Sequence, residues 1–107
     1  MGSLTELLTE AKSLKDDYSE EIPIKIVHGK AKFKVQKNWF NNITSMIQEA
    51  RQEGIIKDQE VINHYNTFER YMIESGLRGR NIKVEDIQKA NEFLNYLINY
   101  CEQRVGK

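Results

Sequence analysis

No stretch of the chain stays apolar for the roughly 20 residues that a bilayer-crossing helix needs, and the N-terminus has no apolar core of the secretion-signal type. With a single cysteine, Cys101, no internal disulfide can form. Cys101 also falls on an apolar stripe, where a thiol behaves as a small hydrophobe, and this favours a reducing compartment. A cytoplasmic location is therefore expected. The 16 basic residues cancel the 16 acidic ones, so the whole molecule lacks the one-signed field of a nucleic-acid coat, and any attraction to anions must be local.

Catalytic and metal signatures are equally scarce. The two histidines, His28 and His64, fall in different segments, and neither has a cysteine or a second histidine at metal-ligand spacing. The glycines are scattered as helix stops and do not gather into a phosphate-cradling loop. No carboxylate stands in an apolar setting that would prepare it for acid catalysis. No enzyme activity, cofactor or metal is expected. Gly2 invites a myristoylation reading, but Glu6 occupies the position where Ser or Thr is required. The Asn42-Ile43-Thr44 sequon lies within a helical pattern and is read as chance.

What the sequence does contain is helical periodicity. The length, 107 residues, suits one domain spanning residues 1–107. Ser3 and Glu6 form a plausible capping box for a first helix carrying Leu4, Leu7, Leu8, Ala11 and Leu14 and running to about Asp17. Its outer face and the following turn collect Glu6, Glu10, Asp16, Asp17, Glu20 and Glu21. Asn38 is expected to cap a helix burying Trp39, Phe40, Ile43, Met46, Ile47 and Ala50 and stopping at Gly54. Asp58 is expected to cap another that buries Val61, Ile62, Tyr65, Phe68 and Met72 and stops at Gly76.

The broadest apolar stripe belongs to the last helix, Val84 to Val105. Val84, Ile87, Asn91, Leu94, Ile98, Cys101 and Val105 recur at steps of three and four, widened by Ala90, Phe93 and Leu97. The other elements are expected to pack on it. Glu85 and Asp86 in its first turn match the sign its dipole prefers.

Between the first two helices the period changes to two. Ile22, Ile24 and Ile26 alternate before His28-Gly29, and Ala31, Phe33 and Val35 alternate after it. A two-residue turn at His28-Gly29 would set Ile26 against Ala31, Ile24 against Phe33 and Ile22 against Val35. The opposite face would then carry Lys25, Lys30, Lys32 and Lys34. The expected fold is thus α+β and mainly α: four helices packed around the long C-terminal one, with a two-stranded antiparallel β-hairpin between helices 1 and 2.

Function is expected to follow from that basic face. Lys25, His28, Lys30, Lys32, Lys34 and Lys37, joined by Arg78, Arg80 and Lys83 from a Gly-containing connector, would meet an anionic surface. The expected role is a small non-enzymatic binding or regulatory (adaptor) protein whose partner is a protein with an acidic surface. The alternative is nucleic acid, with the same residues on phosphates. Most aromatic residues fall on core stripes. Tyr71, Tyr96 and Tyr100 fall to the side, where they would line a contact surface for a partner helix or, as a homodimer, a second copy, or equally form the shoulder of the core.

Overall fold

The structure is a computed structural model, and it describes residues 2–17, 30–77 and 83–105, without the side chains of residues 17, 30–38 and 84. Among the described residues four helices follow one another: α1 (Leu4–Asp17), α2 (Lys30–Gln52), α3 (Gln59–Glu74) and α4 (Val84–Val105). Of the described residues 86% are helical and none is in a strand, so the fold is all-α and the expected α+β hairpin is corrected.

The correction falls on the second half of that hairpin. Residues 30–35, expected as a strand, are the first turns of α2. The first half, residues 22–27, and the His28-Gly29 turn lie outside the described residues. Two physical causes favour helix at 30–37. Ala31, Gln36 and the four lysines are good helix formers. Extending an existing helix also gains one hydrogen bond per residue with no new nucleation cost, whereas an isolated two-stranded ribbon is marginal. Asn38, expected as a cap, consequently lies inside α2.

The other helix ends follow their local chemistry. The Glu6 amide donates to Ser3 Oγ (3.2 Å), and the Glu6 carboxylate reaches back to the Gly2 amide (2.7 Å), one residue earlier than in a standard capping box. Helix α2 stops at Gly54 (φ +73°), where the Ile55 amide donates to the Ala50 carbonyl and the Gly54 amide to Arg51, a Schellman closure. Gly76 (φ +67°) ends α3 in the same left-handed conformation.

One buried cluster fills the interior, drawing Leu7, Ala11 and Leu14 from α1, Trp39, Phe40, Ile43, Met46, Ile47 and Ala50 from α2, Val61, Tyr65 and Phe68 from α3, and the stripe of α4. Helix α4 packs on α1 and on α3, while α2 leans chiefly on α1. Trp39 Nε1 donates to the Leu14 carbonyl at 2.7 Å in the buried interior. Further along, Glu49 of α2 lies close enough to Glu10 of α1 to raise the Glu10 pKa, after burial as the larger cause. Trp39 meets the end of α1 and Glu49 its middle, so the two helices run antiparallel. Phe40 stacks on Phe68 (6.3 Å), which ties α2 to α3.

Candidate functional site

Helices α3 and α4 also run antiparallel, and a ladder of ring contacts fixes their register. His64 stacks on Tyr96 with centroids 3.7 Å apart, and Phe68 stacks on Phe93 at 5.7 Å with the rings 4° from parallel. One turn further, the Tyr71 hydroxyl donates to Asp86 Oδ1 at 2.6 Å, and Lys89 Nζ sits 5.9 Å from the Tyr71 ring centre. On the outer side of this ladder lies an open cleft of about 460 Å³. Phe68 and Phe93 are buried as its floor; Tyr71 and Tyr96 are half-buried walls; Thr67, Arg70, Glu74 and Glu92 are exposed around it.

The polar groups at the upper end are already engaged. Asp86 is fully buried, and its second oxygen accepts the Lys83 amide at 2.7 Å, so it caps α4 at the same time as it takes the Tyr71 hydroxyl. Lys89 and Glu92 approach to only 4.0 Å and keep 44% and 71% of their side-chain exposure, a pairing of little energetic weight. At the lower end, burial raises the Tyr96 pKa, and Glu60 adds to the shift as a nearby charge and a hydrogen-bond acceptor.

A second polar cluster ties the start of α3 to the end of α4. Asp58 is the N-cap residue of α3, yet its carboxylate does not cap: it accepts the Tyr100 hydroxyl (2.7 Å) and Arg104 Nη2 (3.1 Å). The Arg104 guanidinium lies 3.6 Å from the Tyr100 ring centre. Burial, with the Asp58 hydrogen bond second, pushes the Tyr100 pKa up to about 12. Among the described residues, no group of three or more His, Cys, Asp or Glu side chains could hold a metal ion.

The residues expected to bind anions are not gathered into a described site. Lys30, Lys32, Lys34 and Lys37 belong to the first turns of α2, so they cannot form one face of a ribbon; on a helix, positions 30, 34 and 37 share a side and 32 falls elsewhere. Lys25, His28, Arg78 and Arg80 lie outside the described residues. Lys83 is exposed and contributes its backbone amide to Asp86. Of the three tyrosines expected on a contact surface, Tyr71 and Tyr96 do line one cleft, whereas Tyr100 is buried against Asp58 and Arg104.

Sequence reasoning missed His64 as a wall residue and Asp86 as a buried anchor. The first-turn position of Asp86 was a visible signal for the latter. Comparison of the chain with protein-family models, with curated proteins and with solved structures found no match.

Proposed function

We propose that this chain is a protein-interaction module, not an enzyme, and that the cleft between α3 and α4 is its contact surface. The observation that carries the reading is the cleft's construction: a floor of parallel Phe68 and Phe93 rings, half-buried Tyr71 and Tyr96 on the walls, and charged side chains at the rim. Apolar, aromatic-rich centres with a polar rim characterise protein contact surfaces. Aromatic side chains concentrate binding energy there because each buries a large rigid area at low conformational cost. The Tyr71 hydroxyl is satisfied by Asp86, so covering that wall strands no donor.

A displayed library of random 15-residue peptides, selected against the protein, tests this. Thr67 is exposed in the cleft, and Thr67→Arg would plug it; Ile73 is 72% exposed on α3 and is not among the cleft residues, so Ile73→Arg serves as the control. Selected peptides should lose at least about tenfold in affinity for Thr67→Arg, the loss of roughly one well-placed contact, and keep it for Ile73→Arg. Failure to select any binder, or binders indifferent to Thr67→Arg, would contradict the proposal.

A further inference from the structure

The rim of the cleft is balanced in charge. Arg70 and Glu74 stand on α3, Lys89 and Glu92 on α4, so two cations offset two anions around the floor of Phe68 and Phe93. A charged segment laid across it meets as many like charges as opposite ones, whereas an uncharged one covers the rings without that conflict. The occupant this lining fits is an uncharged, apolar segment of a partner protein.

One lining group does not keep its charge. Carboxylates, ammonium and guanidinium groups hold theirs between pH 5 and 8, while an imidazole gains a proton within that range. His64 is the histidine of the cleft, exposed on α3, and its ring centre lies 3.7 Å from that of Tyr96 with the planes 17° apart. The stack fixes the ring in the wall, so an occupant that covers Tyr96 covers His64 with it. Neither ring nitrogen has a hydrogen-bond partner among the described residues, and both are left to solvent.

The neighbours of the ring are engaged elsewhere. Glu60 stands one turn before His64 on α3 and serves the Tyr96 hydroxyl as acceptor. Burial first, and then Glu60, hold the Tyr96 pKa above its ordinary value, so that hydroxyl stays neutral at these pH values. Asp58 and Arg104 reach the same ring as charges of opposite sign. From α4, Glu92 lies one turn before Tyr96 and is shared with Lys89 at 4.0 Å. Arg70 adds a further cation to the rim.

We propose that His64 gates the cleft by pH: the neutral imidazole is covered by an apolar occupant and the imidazolium resists covering, so occupancy is high near pH 7–8 and falls in mildly acid conditions. The proposal rests on the reading of the cleft as a contact surface and adds its regulation. Protonation turns a balanced lining into one with an excess positive charge. An uncharged segment that covers it strips the imidazolium of water and supplies no anion in return. The open cleft holds the proton and the filled cleft expels it, so affinity declines as the proton concentration rises.

Calorimetric titration at about pH 7.5 and about pH 5.5 tests this. The probe is a 15-residue peptide selected at the higher pH from a library without charged or histidine residues, and circular dichroism confirms the helices at both pH values. Wild-type affinity should fall by about threefold to tenfold at the lower pH, the range that one expelled proton allows for an imidazole. His64→Phe keeps a ring to stack on Tyr96 but carries no charge, and its affinity should be the same at both pH values. His64→Gln, polar and equally unable to titrate, should also be flat and serves if the larger ring disturbs the wall. His28→Gln removes the chain's other imidazole and should decline as the wild type does.

A wild-type affinity that holds or rises at the lower pH overturns the proposal, as does a fall that persists in both His64 variants. Where the same peptide still fails to bind Thr67→Arg, the contact-surface reading stands and the gating alone is removed. A library that yields no binder sensitive to Thr67→Arg removes both.

Discussion

At the scale of single residues, two buried groups on α4 stand out because they work against the fold under definable conditions. Asn91 lies on the apolar stripe, is 9% exposed, and its side-chain oxygen has no hydrogen-bond partner. A buried acceptor left unmet costs about 1–3 kcal/mol. Replacing it with an apolar side chain of similar size removes that cost, so Asn91→Leu should raise the unfolding free energy by about 1 kcal/mol in urea titrations. A lower midpoint in the variant would show that the oxygen is satisfied in solution.

Cys101 is fully buried, and burial pushes its thiol pKa from 9 up to about 11. The folded chain therefore holds that proton after the unfolded chain has released it. Stability is at its full value below pH 9 and declines as pH climbs from about 9 to about 11. The Tyr65 and Tyr100 hydroxyls, both pushed from 10 up to about 12, extend the decline. In Cys101→Ala the unfolding midpoint should fall less steeply between pH 9 and 11 than in the wild type, with parallel profiles from pH 6 to 8. Identical slopes over the alkaline range would remove Cys101 as a cause.

At the scale of elements, α2 is where sequence and structure part. Alternating lysine and apolar residues over six positions satisfy a period of two. Four of the same six residues, Ala31 and the three lysines, are strong helix formers, and the stretch is directly attached to the amphipathic helix at Trp39, Phe40 and Ile43. Local pattern and continuation of a neighbouring helix competed, and the continuation prevailed. Backbone carbon-13 shifts over residues 30–38 should accordingly be displaced to the helical side of random coil. Displacement to the strand side would restore the hairpin.

The remaining helices were legible because their signals agreed with one another. Ser3 with Glu6, Gly54, Gly76 and the long stripe of α4 each combine a terminus signal with a consistent apolar face. The cleft was not legible in the same way. Tyr71 and Tyr96 could be set aside from the core by spacing alone, but nothing local states that α3 and α4 are antiparallel with Phe68 level with Phe93. Pairing of distant segments is a tertiary fact, and the part played by His64 depends on it.

At the scale of the whole molecule, the polar links secure a bundle whose described residues bury their apolar stripes on one side and leave the α3–α4 face open. Trp39 to Leu14 binds α2 to the end of α1; Tyr71 to Asp86 and the Asp58, Tyr100 and Arg104 cluster hold α3 against α4 at both ends. The α3–α4 pair is thus clamped above and below the cleft. On the proposed reading the surface is formed before its occupant arrives, so little ordering cost would accompany association.

A titration with a selected 15-residue peptide, followed by amide nitrogen–proton correlation spectra, addresses the central claim most directly. As peptide is added, resonances of residues 64–74 and 89–96 should move together along a single binding curve while those of residues 4–17 hold their positions. Spectra unchanged up to saturating peptide, or movement centred on α1, would contradict the proposal that this face is the contact surface.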